Sequence, residues 1–157
     1  MHKIKIEDLL VLVEDNPADV AYLEAVFEEV KLLNPLKVVS DGERALAYLR
    51  KEDPYAEAAS PGLVLLDLHM PRMDGFQVLD ELRSDPVMEM IPVVMLSSVV
   101  DDQEVIKAYQ KGARAYLHKP FDAKALIDVL GKFYLGWSLV MKVPEPPGIS
   151  GSQARDA

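Results

Sequence analysis

Apolar residues follow one another along this chain in two rhythms. Unbroken runs occur at LLVLV (Leu9–Val13), LVLLDL (Leu63–Leu68) and PVVMLS (Pro92–Ser97), with shorter ones at LKVVS (Leu36–Ser40) and RAYLHK (Arg114–Lys119). Runs that are apolar at successive positions predict strands covered on both faces, as in parallel sheets. Between the runs, apolar residues recur at helical spacing. The stretch Asp15 to Leu33 carries Val20, Leu23, Ala25–Phe27 and Val30 behind an Asn16-Pro17 start. Gly42–Lys51 has Ala45, Leu46 and Leu49, and Asp74–Arg83 has Phe76, Val78, Leu79 and Leu82. Asp101–Lys111 opens on two aspartates suited to capping and stops at Gly112. Asp122–Leu135 has Leu126, Ile127, Leu130, Phe133 and Tyr134.

The predicted order is strand then helix, repeated five times, which implies an α/β protein with a doubly wound open sheet. In such sheets ligands bind beyond the carboxyl ends of the strands, where the strand order reverses. Glu52–Gly62, rich in Ala, Glu and Pro, is a long connection, and the last dozen residues have the Pro, Gly and Ser of a disordered tail.

Composition narrows the class. The 157 residues suit one domain, and a hydrophobic half is enough for a core. The absence of Cys excludes a disulfide framework, a thiolate metal site and a thiol nucleophile, and fits a cytoplasmic location. A net charge of −9 argues against nucleic acid as a partner. The start MHKIKIEDLLVLVEDN does not read as a signal peptide, and no run approaches the about 18 apolar residues of a membrane span.

The candidate chemistry lies where the strands end. The first strand runs into Glu14-Asp15, the third into Asp67, the fourth into Ser97-Ser98 and the fifth into Lys119. Three carboxylates at one sheet edge repel each other, and a hard divalent cation with oxygen ligands relieves that conflict; Mg²⁺ suits it. Lys119 adds a point charge for a phosphoryl oxygen and Ser97 a hydroxyl donor. Asp67, in an apolar run where an ionised carboxylate needs a partner, then becomes a nucleophile able to form an aspartyl phosphate.

Four motifs carry a resemblance: VEDN (Val13–Asn16), LLDLHMPRMDG (Leu65–Gly75), MLSS (Met95–Ser98) and KGARAYLHKPF (Lys111–Phe121). Together they resemble the receiver domain of two-component response regulators, over roughly Leu9 to Leu135. That likeness implies the flavodoxin-like (βα)5 fold with strand order 2-1-3-4-5. It implies Asp67 as phosphoacceptor and Glu14 and Asp15 as the acidic pair of a Mg²⁺ site, with Asp15 the direct ligand; Mn²⁺ is the alternative ion. His69 would offer its backbone carbonyl to the metal. Ser97 would be the switch hydroxyl, Tyr116 the switch aromatic, and Lys119 the phosphate-contacting lysine before a cis bond to Pro120. Ser stands at Ser97 where the family more often has Thr, and His69 and Val99 occupy positions that tune phosphoryl lifetime.

The phrases VEDNPADVAYLEAVFEE and FYLGWSLVMKVPEPP are similar to stand-alone receivers that serve bacterial and cyanobacterial phytochrome kinases. The expected organisation is a receiver over residues 1–136, a disordered or dimerising extension over 137–157, and no output domain. A sensor histidine kinase, with bacteriophytochromes as candidates, is the expected phosphoryl donor. A homodimer is expected through the fourth helix, fifth strand and fifth helix together with the C-terminal extension, and the aromatic stretch Phe133–Trp137 is of the kind enriched at interfaces. The chain is then a signalling phosphoprotein and not an enzyme, apart from its own phosphoryl transfer and hydrolysis. A dehalogenase-like phosphatase would want Asp where His69 stands, and a flavodoxin would want a phosphate-cradling loop where Glu14-Asp15-Asn16-Pro17 stands. A binding module that never takes phosphate is the third reading.

Overall fold

The computed structural model describes residues 7–133. Strands β1 (Leu9–Val13), β2 (Leu36–Val39), β3 (Pro61–Asp67), β4 (Val93–Ser97) and β5 (Ala115–His118) alternate with helices α1 (Pro17–Val30), α2 (Gly42–Leu49), α3 (Gly75–Arg83), α4 (Asp102–Gln110) and α5 (Ala123–Leu130). The strands form one parallel sheet in the order β2-β1-β3-β4-β5, as the resemblance implied. Strand order reverses between β1 and β3, so the crevice opens beyond their carboxyl ends.

Side-chain alternation divides the core between the two faces of the sheet. Leu10, Leu12, Leu63, Leu65, Leu96 and Leu117 pack with Leu23, Val26 and Phe27 of α1 and Leu126 and Leu130 of α5. On the other face Val11, Val13, Val64, Leu66, Val93 and Met95 meet α2 and α3. Helix α4 adds only Ala108 to this second layer.

Caps fix where the helices begin. The Asn16 side chain accepts from the N–H groups of Ala18 and Asp19, and Pro17 has no N–H to leave orphaned. Asp41, Asp74, Asp101 and Asp122 cap the other four helices in the same way. The ends differ from the apolar spacing. Helix α1 stops at Val30 and not Leu33, because Lys31 turns into the left-handed region at φ 54° and its N–H bonds back to Glu28 and Phe27. Helix α5 closes at Leu130 with Gly131 as its cap, short of the predicted Leu135. The predicted stop at Gly112 holds: Lys111 caps α4 and Gly112 follows at φ +101°. The aromatic stretch from Tyr134 and the 137–157 extension lie outside the described residues. Among the described residues no helix is long and apolar enough to cross a membrane.

Candidate functional site

The alternation that builds the core also aims the site. Leu12, Leu65 and Leu117 face α1 and α5, and two residues on in each case come Glu14, Asp67 and Lys119. The three side chains meet. Lys119 Nζ lies 2.6 Å from Glu14 Oε1, 3.1 Å from Asp67 Oδ1 and 2.9 Å from Asp19 Oδ2 of α1. Glu14 and Asp67 are buried. Asp15, half-buried, brings a carboxylate oxygen within 4.8 Å of oxygens from both of them. Backbone crowding fixes the end of β3, since a Cβ on Gly75 would stand 2.6 Å from the Asp67 carbonyl oxygen. The glycine lets α3 start hard against the strand.

The electrostatics follow from burial. Desolvation raises Glu14 to about 7 against the pull of its Lys119 hydrogen bond, and the neighbouring Asp67 charge adds to the rise. Burial likewise raises Asp67, although Lys119 opposes it. For Lys119, burial acts downward, but the hydrogen bonds to Glu14 and Asp19 and the Asp67 charge outweigh it and raise the ammonium. Among the described residues, the Lys119 ammonium faces three carboxylates, those of Glu14, Asp19 and Asp67, and Asp15 stands beside Glu14 and Asp67. Glu14 and Asp67 resist ionisation, so the oxygen donor set of Glu14, Asp15 and Asp67 fits a hard divalent ion.

Ser97 and Tyr116 belong to the opposite face. Ser97 follows Met95 by two on β4, is fully buried, and its Oγ accepts the Val99 N–H at 3.1 Å. Tyr116 pairs with Met95 across the sheet and packs edge-on against His118, with ring centroids 5.2 Å apart. Its hydroxyl is buried without a hydrogen-bond partner among the described residues. Burial raises the phenol, the Ser97 hydroxyl eases it, and Glu104 and Asp101 add to the rise. Ser97 is therefore an electrostatic neighbour of the phenol without the alignment of a hydrogen bond.

The structure thus brings Glu14, Asp15, Asp67 and Lys119 together, with Ser97 at the next strand end and the Lys119–Pro120 bond cis. The His69 ring points away to Glu104 of α4, with Nε2 3.2 Å from Oε1. Sequence reasoning missed Asp19 and Glu104. Asp19 could have been found, because it follows Asp15 by four on a predicted helix. Nothing local in the sequence links His69 to a residue 35 positions away.

A flavodoxin-like sheet carrying buried carboxylates and a lysine at its switch point is the architecture of a phosphoryl-accepting signalling domain. The response regulator receiver domain family matches residues 10–131, and the chain belongs to that family. It is 31% identical to the response regulator Rcp1 of Synechocystis over 87% of this chain and 92% of that one. The Mn²⁺-bound structure of Rcp1 superposes with TM-score 0.70 at 31% identity, covering 88% of this chain and 99% of that one. The bacteriophytochrome response regulator RtBRR superposes with TM-score 0.76 at 32% identity, over 96% of this chain and 89% of the other. The phosphorylated cyanobacterial phytochrome response regulator RcpA gives 0.70 at 35% identity, over 80% and 90%.

Proposed function

We propose that this response regulator takes a phosphoryl group on Asp67 from the phosphohistidine of a sensor kinase. The observation that carries the reading is the buried Asp67 carboxylate, 3.1 Å from Lys119 and within reach of Glu14 and Asp15. An Asp67 oxygen attacks phosphorus, the P–N bond to the donor imidazole breaks, and its electron pair leaves with the imidazole nitrogen. Lys119 neutralises a phosphoryl oxygen, while the Ser97 hydroxyl is one strand away to donate to another. Mg²⁺, or Mn²⁺ as in the Rcp1 structure, would be held by Glu14, Asp15, Asp67 and the His69 carbonyl and would offset charge on the phosphoryl oxygens. As Ser97 turns toward the phosphoryl group, Tyr116 moves with it and reshapes the face of α4, β5 and α5.

The likeness to RtBRR and RcpA supports a phytochrome kinase as the donor, in the cytoplasm. The same face, with the 137–157 extension, is proposed to pair two copies. The test is intact mass after incubation with acetyl phosphate, with and without Mg²⁺, on the wild type and Asp67→Asn. A Mg²⁺-dependent gain of one phosphoryl group, absent from the variant, is expected. Equal uptake by Asp67→Asn would refute the assignment.

A further inference from the structure

Lys119 has three N–H donors, and two are given to Glu14 Oε1 and Asp19 Oδ2 before any phosphoryl group arrives. The two acceptors are not equivalent. The Glu14 side chain has no exposed surface, whereas 42% of the Asp19 side chain is open to water. The third donor faces Asp67 Oδ1 at 3.1 Å, so the ammonium already has three anionic neighbours when a phosphoryl group on Asp67 brings new oxygens to compete for it. Releasing Glu14 would leave a fully buried carboxyl group without its Lys119 bond, while Asp19 can turn into solvent at small cost.

Helix α1 also holds the Lys119 loop at a second point. Tyr22, one turn on from Asp19, donates its hydroxyl to the Phe121 carbonyl at 2.9 Å. The backbone after Lys119 therefore stays anchored to α1 while the side chain of Lys119 changes partner.

We propose that Asp19 is a positioning residue: it parks the Lys119 ammonium in the resting protein and yields it to a phosphoryl oxygen, thereby setting how tightly the site holds a phosphoryl group. The inference rests on Asp67 being the phosphoacceptor.

The test uses the full chain and beryllofluoride, an acyl-phosphate mimic, titrated at saturating Mg²⁺ by calorimetry. Asp19→Asn, which keeps shape and removes charge, is expected to bind it about threefold more tightly, the size of a part-exposed ion pair. Asp19→Glu, which keeps the charge, should bind like the wild type. A structure of the wild-type beryllofluoride complex should show Asp19 out of hydrogen-bond range of Lys119. Unchanged or weaker binding by Asp19→Asn overturns the proposal. So does tighter binding with Asp19 still on Lys119 in the complex, because then its charge alone acts. Failure of the wild type to take up phosphate in the mass assay would instead bring down the phosphoacceptor reading itself.

Discussion

Glu14 should make this fold lose stability as the solution becomes less acidic, provided no divalent cation is present. Its carboxyl is buried beside Asp67, and burial raises it from 4.5 to about 7. Through that window the unfolded chain has already released the proton that the folded protein still holds. The folded state then binds more protons, and stability falls with rising pH. The contribution is absent below about pH 4.5 and complete above about pH 7. At about 1.4 kcal/mol for each pH unit of displacement, the whole window is worth about 3 kcal/mol of destabilisation.

The perturbation is Glu14→Gln, which keeps the acceptor for Lys119 and removes the titration. Urea unfolding of both proteins in EDTA, at steps from about pH 5 to about pH 7.5, reads Glu14 together with the Asp67 titration it is coupled to, because titrations remote from the pair cancel in the difference. The wild type should lose about 2 kcal/mol relative to the variant across that range. Adding Mg²⁺ at the upper end should recover the loss in the wild type, since an ion that binds only the folded state at a hundredfold its Kd contributes about 2.7 kcal/mol. A difference that is flat, or that opens in the wild type's favour as pH rises, would refute the reasoning that burial dominates at Glu14.

Two further predictions concern packing. Tyr116→Phe removes a buried hydroxyl that has no hydrogen-bond partner among the described residues and should raise stability by about 1 kcal/mol in urea unfolding, against the usual direction for a core substitution. Arg83→Met should cost about 2 kcal/mol in the same assay, because three carbonyls lose a charged donor. The guanidinium bonds to Gly112 O at 2.9 Å, Glu89 O at 2.8 Å and Ile91 O at 3.0 Å, joining the turn before β5 to the turn before β4.

Much of the site was legible because a parallel sheet turns sequence order into spatial order. An apolar run that ends in a polar residue places that residue at the carboxyl edge, so the sequence alone puts Glu14, Asp67, Ser97 and Lys119 on one edge. What stayed hidden depends on pairing across the fold. The hold of Asp19 on Lys119 joins residues 100 apart, and the position of Lys119 relative to α1 follows from strand order and not from spacing. Helix ends were misread for a local reason: Leu32 and Leu33 keep an apolar rhythm after Lys31 has left helical geometry, and Lys is not a residue that announces a left-handed turn.

The two faces of the sheet have different jobs, and their packing explains which part can respond. Glu14, Asp67 and Lys119 lie on the α1 and α5 face, locked among buried leucines. Ser97 and Tyr116 lie on the face toward α4, which buries a single residue, Ala108, where α3 buries Gly75, Val78, Leu79 and Leu82. Other ties on α4 are surface contacts: Glu104 to His69 at 3.2 Å, Lys107 over the Phe76 ring at 4.5 Å and Lys111 to Asp80 at 2.9 Å. Contacts of that kind are worth about 0–1 kcal/mol each, whereas one buried leucine of α3 is worth about 2 kcal/mol or more. A rearrangement at Ser97 therefore meets its smallest resistance at α4. The loop that follows Asp67 reaches that helix directly through His69 and Glu104, so the least anchored helix is tied to the strand end that carries the carboxylate.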